Sequence, residues 1–386
     1  MVRRILLILI LFIGGWRLNA QNNCPIILIH GFLGWGREEM AGYYYWGGRS
    51  DLESHLRDAG HKVYTVSVGP ISSNFDRAIE AFYQIKGGQV DYGQEKANRL
   101  GIVRRPITKN YIGLYPEWGA DNPVHIIAHS QGGQTARMLE VLLKSSISGE
   151  DSDLLSETLN GWIKSITTIS TPHNGSTLVP IMLDVFPFAL NWAPWFGGID
   201  IDNIDNLYNF DLEQWGVEKR YGETLNEYYQ RIGDSPLAKQ RNLCAWDLSP
   251  AGAAEFNELY VTDPEIYYFS FSTYATRPEK IGNRHRPDSK MSFHLWSTSF
   301  LMGYDKNAPD DSWYENDGIC NTVSMSHPSG SAVQPYDGIP KKGVWQTVER
   351  LHMDHLAVIG HHTTKRKFKN IIVLYNSHAK LLENLK

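Results

Sequence analysis

The sequence predicts an α/β protein: a mostly parallel central sheet with helices on both faces. Two observations carry that prediction. Short apolar runs recur along the chain, and stretches with helical periodicity alternate with them, a pattern that builds parallel sheets covered on both sides. The apolar runs end in loops rich in Gly, Pro, His and Ser, and such loops gather at the carboxyl edge of a parallel sheet, where ligands bind. A chain of 386 residues fits one large domain with insertions, and no periodic or low-complexity tract points to repeats.

At the start of the chain, Met1 to Arg4 is basic, Ile5 to Ile13 contains only Ile, Leu and Phe, and Leu18-Asn-Ala20 ends in a small residue. This is the pattern of a signal peptide cut after Ala20, with residues 21–386 expected as a single domain. The apolar run is short for a bilayer span, although an uncleaved anchor is the alternative. No lipobox precedes Cys24. The expected location is therefore extracellular or periplasmic.

Pro25–Ile29 reads as a buried strand entering the loop His30-Gly-Phe-Leu-Gly-Trp-Gly36. Asp51–Ala59 reads as helix, Lys62–Val68 as an alternating strand, and Asn74–Lys86 as helix. Val124-His-Ile-Ile-Ala-His129 is the next strand. Trp162–Ile169 comes after it, closed by Ser170-Thr-Pro-His-Asn-Gly175, and Ile266–Ser272 is the clearest strand of the second half.

A formal charge of −5 with mixed signs leaves no footprint for a polyanion, so no nucleic-acid partner is expected. Lys365-Arg-Lys-Phe-Lys369 reads as a solvated basic face. Cys24, Cys244 and Cys320 allow one disulfide at most and suit neither a metal cluster nor a redox motif.

The segment Ala128-His-Ser-Gln-Gly-Gly133 is the most informative one. An apolar strand stops at Ser130, two glycines lie just beyond it, and Gln134–Lys144 has the periodicity of an amphipathic helix. A serine at such a turn is strained and exposed as a nucleophile, as in G-x-S-x-G, with Ala128 here replacing the first glycine. A hydroxyl needs a base and an orienting carboxylate, which come after the serine in the order acid, then histidine. Asp317, at a Gly turn before an apolar stretch, is the best acid, with Glu315 and Asp311 competing. His355 is the best base, with His352, His361 and His362 competing. The backbone N–H groups of Phe32, after the first strand, and Gln131, after the serine, would form an oxyanion hole.

Between Leu178 and Phe196 nearly every residue is apolar, and Pro180, Pro187 and Pro194 rule out one uninterrupted helix. The expected role of residues 176–200 or so is a lid whose apolar inner face meets lipid when it opens.

Together, these residues resemble the staphylococcal and thermophilic bacillus group of true lipases, bacterial family I.5. The matching pieces span most of the chain beyond Ala20. They include His30–Met40, Tyr45-Trp-Gly-Gly48, Val68–Asn74, Ile126–Met138, Glu315-Asn-Asp-Gly318, Asn321–Met325, Pro335-Tyr-Asp-Gly338, Lys342-Gly-Val-Trp345 and Asp354-His-Leu356. The resemblance implies an α/β-hydrolase fold with a lid insertion. It also implies Ser130, Asp317 and His355 as a catalytic triad and Phe32 and Gln131 as oxyanion hole.

The departures matter as much. The group's structural zinc uses two aspartates, matched by Asp76 and Asp247, and two histidines, whose positions hold Lys96 and Ile102. Two carboxylates without imidazoles make a poor zinc site, so no metal is expected, and Lys96 is expected to pair with Asp76 or Asp247 instead. Ala357 and His362 stand where the group's calcium-binding carboxylates should be, which disfavours a hard-cation site. No cofactor is expected. The expected function is a secreted triacylglycerol lipase acting on lipid esters at an oil–water interface, with only transient membrane contact. A short-chain esterase, phospholipase or polyester depolymerase shares the chemistry. A non-catalytic binding protein of the same fold would normally have lost a triad member.

Overall fold

Four consecutive aliphatic residues form strand β1 (Ile26–Ile29), and all four are buried. Their side chains alternate between two cores: Ile26 and Leu28 face one, Ile27 and Ile29 the other. A run with no polar face suits a strand covered on both sides, and each buried aliphatic side chain contributes about 1.5–3 kcal/mol. The computed structural model describes residues 22–185, 208–235, 237 and 240–386. The expected signal peptide (residues 1–20) and residues 186–200 of the expected lid lie outside them.

The other central strands are β2 (Val63–Val66), β3 (Val124–His129), β4 (Ile163–Ile169), β5 (Tyr267–Tyr274), β6 (Val333–Pro335) and β7 (Trp345–His352). They form one seven-stranded sheet in the order β6-β7-β5-β4-β3-β1-β2, and every pairing is parallel. The helices that matter most are α1 (Leu52–Asp58), α2 (Asn74–Lys86), α3 (Gln94–Leu100), α4 (Gln131–Leu143), α5 (Leu178–Val185), α6 (Pro250–Leu259), α7 (Trp296–Gly303) and α8 (Lys365–Glu383). Leu52 and Leu56 of α1 and Phe368, Ile371 and Tyr375 of α8 cover one face. Ala78, Ile79 and Phe82 of α2 and Leu139 and Leu142 of α4 cover the other. This is the α/β-hydrolase arrangement that the sequence implied.

The basic stretch Lys365–Lys369 opens the 19-residue α8, capped by Thr364, and its Lys365, Arg366, Lys367 and Lys369 are exposed, the solvated basic face that was expected. Pro180 falls in the first turn of α5, where its missing N–H has no intrahelical acceptor to lose. All three cysteines are free thiols. None of the described helices is long and apolar enough to cross a membrane.

Candidate active site

Strand β3 is buried throughout and ends at Ser130, whose φ of 56° lies in the left-handed region. A non-glycine residue there is strained. The absence of a side chain at Gly132 permits the tight turn, since a Cβ there would sit 2.3 Å from the Ile29 carbonyl oxygen. Ser130 occupies the N-cap position of α4, where a serine hydroxyl normally accepts from the helix backbone, but it makes no such bond. Its Oγ lies instead 2.9 Å from His355 Nε2.

His355 lies in the loop after β7, and its Nδ1 is 2.7 Å from Asp317 Oδ2. The loop is pinned by His355 N–H donating to the Asp317 carbonyl (3.0 Å). The Asp317 carboxylate is fully buried and has four donors. Oδ1 accepts from the Ile319 and Cys320 amides at 3.0 and 2.8 Å, and Oδ2 accepts from Thr273 Oγ1 at 2.6 Å as well as from His355. These four donors replace the water that burial strips from the carboxylate.

The competing residues are engaged elsewhere. Glu315 pairs with Arg350 at the surface, and Asp311 accepts from Asn283. His352 pairs with Asp288 (2.6 Å), His361 bonds the Tyr45 carbonyl (2.8 Å), and the His362 ring lies against that of His294. Ser130, Asp317 and His355 are the ones brought together.

Gly31 places the turn that carries Phe32 directly beside Ser130: a Cβ there would be 2.6 Å from Ser130 Cβ. His30 braces this turn, with Nδ1 donating to the Gly31 carbonyl (2.9 Å) and Nε2 accepting from Val68 N–H (3.0 Å). Burial, with the Arg77 charge assisting, holds its pKa down at about 3, so it stays neutral and keeps both bonds. The buried Arg77 guanidinium ties the same turn down by donating to the His30 and Gly69 carbonyls. Gln131 opens α4, and first-turn amides of a helix have no intrahelical acceptor.

Sequence reasoning missed Thr273, Arg77, Tyr45 and His129. Tyr45 and His129 lie inside the motifs that carried the resemblance, but their contacts join residues far apart in the chain. Cys320 is buried with its sulfur within 4.8 Å of the ligand atoms of Asp317 and His355. Burial pushes that thiol's pKa well up, so it stays protonated beside the carboxylate.

The residues present do not fit the family's metals. Lys96 Nζ pairs directly with Asp76, whose other oxygen accepts from Asn242 at 2.9 Å. Asp247 takes the Asn74 amide, and Ile102 offers no donor atom. Lys96 is buried, which lowers its proton affinity, and its contact with Asp76 and the nearby charge of Asp247 hold the proton. An ammonium in the middle of the donor set leaves no room for a cation of like sign. At the calcium position Ala357 has no side-chain oxygen. The neighbouring carboxylate, Asp354, is already taken by the amides of Ser292, Leu356 and Ala357.

Comparison with known proteins agrees with this architecture. The family described as "Lipase-like, C-terminal domain" matches residues 22–385. Lipase 1 of Staphylococcus aureus is 33% identical over 357 residues, covering 88% of this chain and 51% of that protein. The chain thus spans about half the length of the curated relatives it matches. Among solved structures, EstA from Clostridium botulinum has a TM-score of 0.86 at 35% identity, covering 95% of this chain and 88% of that one. Lipase 1 from Pelosinus fermentans has 0.82 at 37%, covering 95% of this chain and all of the other. On the strength of the family match and these relatives, the chain belongs to the lipase-like C-terminal domain family of α/β-hydrolases.

Proposed function

We propose that this protein is a carboxylic ester hydrolase that cleaves acylglycerols through an acyl-enzyme on Ser130. The observation that carries the reading is the unbroken line of hydrogen bonds from Ser130 Oγ through both nitrogens of His355 to a saturated, buried Asp317.

The line fixes the proton positions. Asp317 is an acceptor, so His355 carries its hydrogen on Nδ1 and turns the Nε2 lone pair toward Ser130. As Ser130 Oγ attacks the ester carbonyl, its proton passes to Nε2, and Asp317 stabilises the imidazolium. The Phe32 and Gln131 amides receive the oxyanion, each contributing a few kcal/mol to the barrier lowering. His355 then gives the proton to the departing alcohol. Water, deprotonated by the same nitrogen, releases the acid and restores Ser130.

The preference for lipid rests on apolar surface beside the site. Phe293, Trp296, Phe300 and Tyr304, on and next to α7, are 73, 47, 42 and 41% exposed, and α7 packs against α5 at the start of the proposed lid. Exposed aromatics clustered in this way favour an oil–water interface. With the leader-like pattern of residues 1–20, this supports a secreted enzyme that touches membranes only transiently.

The test is hydrolysis of emulsified long-chain triacylglycerol against a soluble short-chain ester, with Ser130→Ala as control. Long-chain turnover lost in Ser130→Ala is the expected result. Short-chain turnover alone would make the protein a general esterase, and activity surviving in Ser130→Ala would overturn the site itself.

A further inference from the structure

We infer that Tyr45 and His129 are positioning residues for the base: one directional chain of hydrogen bonds through them ties the oxyanion turn to the His355 loop. The inference rests on the proposed roles of Ser130 as nucleophile and His355 as base.

His129, the last residue of β3, is fully buried, with its ring 4.6 Å from that of His355. Its Nε2 lies 3.0 Å from the His355 carbonyl oxygen, and its Nδ1 lies 2.6 Å from the Tyr45 hydroxyl. The Tyr45 hydroxyl in turn accepts from the Gly31 N–H at 2.8 Å.

Each proton in this chain has one allowed place. A carbonyl oxygen only accepts, so His129 carries its hydrogen on Nε2. Burial, with the neighbouring His355 ring assisting, keeps His129 neutral, so Nδ1 is an acceptor. Tyr45 must therefore donate to Nδ1, which leaves its oxygen for the Gly31 amide. The sequence is Gly31 N–H to Tyr45 O–H to His129 Nδ1, with His129 Nε2–H continuing to the His355 carbonyl.

Those bonds join the loop after β1, the end of β3 and the loop after β7. Residues 31, 129 and 355 each sit within one position of an oxyanion donor, the nucleophile or the base. A cationic His129 could not accept from Tyr45, whereas the neutral ring holds the oxyanion turn through Nδ1 and the His355 loop through Nε2. Neither Tyr45 nor His129 needs to touch substrate, so the effect falls on the geometry of attack and not on binding.

The experiment separates the two ends of the chain. In His129→Gln the amide nitrogen reaches the place of Nε2 and can still donate to the His355 carbonyl. In His129→Asn the side chain reaches only the Tyr45 end. The readouts are kcat and KM on a soluble ester, with Tm to track folding. The expected result is a kcat loss of about tenfold to a hundredfold in His129→Asn, partly rescued in His129→Gln, which keeps the His355 bond but loses the Tyr45 one, with KM nearly unchanged in both. Equal kcat values in folded Asn and Gln variants, or losses that track Tm alone, would overturn the inference. If His129→Asn does not fold, Tyr45→Phe replaces it by removing one oxygen. It is expected to lower kcat at constant KM, and an unchanged kcat would overturn the inference. Ser130→Ala runs in parallel: activity surviving there sinks the underlying reading, whereas activity lost there but indifferent to residue 129 sinks only this proposal.

Discussion

Thr273 donates its hydroxyl to the same oxygen of Asp317 that receives His355: Oδ2 takes Thr273 at 2.6 Å and His355 Nδ1 at 2.7 Å. Ser170 Oγ lies 2.7 Å from the Thr273 oxygen and, because Thr273 is already donating, must donate to it. The carboxylate that orients His355 is thus itself oriented from β5, by a residue outside the proposed triad.

Thr273→Val removes that donor at nearly constant volume. A buried hydrogen bond to a charged group is worth about 1.5–3 kcal/mol, so denaturant unfolding is expected to show a loss of that size. The hydrolysis rate should fall along with it, since Oδ2 gains freedom to leave His355. Unchanged stability would mean that the Oδ1 amides hold Asp317 unaided.

Gly31→Ala should be catalytically severe. The added methyl would lie 2.6 Å from Ser130 Cβ and 2.9 Å from the Tyr45 hydroxyl, so the turn or Ser130 must shift. Misplacement on the scale of 1 Å costs about a hundredfold in rate, and burst titration with a chromogenic ester would read it.

Lys96→Met is expected to destabilise the fold by about 3–5 kcal/mol, because it leaves the Asp76 carboxylate buried without its cation. A strong chelator, by contrast, is expected to leave Tm and esterase activity unchanged. A Tm drop on chelation would point to a bound metal.

Asp247 gives a pH signature. Burial raises its pKa to about 6, against the opposing pull of the Asn74 amide and Lys96. A carboxyl raised in the folded state takes up a proton on folding. Its contribution is therefore fully present below the ordinary carboxylate value and is lost as pH rises through about 6. The amplitude is on the order of 3 kcal/mol. Asp247→Asn should flatten stability against pH across that interval, measured by urea unfolding at several pH values.

The sequence was legible wherever the information is local. β1 and β3 could be read because a strand buried on both faces is a plain aliphatic run, and the turn at Ser130 because the serine, the glycines and the helix are contiguous. β7 was missed: Trp345-Gln-Thr-Val-Glu-Arg-Leu-His352 mixes charge into the strand, and its register breaks between Thr347 and Glu349. Asp317 and Glu315 differ by two positions, and only the folded chain turns one inward and the other toward Arg350. Thr273 and Tyr45 carry no local mark, since what they do depends on partners 44 and 84 positions away.

The Lys96–Asp76 pair has a consequence for how this fold depends on its surroundings. Stability contributed by a bound ion rises and falls with the logarithm of the free ion concentration. A cationic side chain is tethered to the fold, so its local concentration does not depend on what is dissolved outside. Helices α2 and α3 are therefore cross-linked by an interaction that dilution, competing chelators or metal starvation cannot remove.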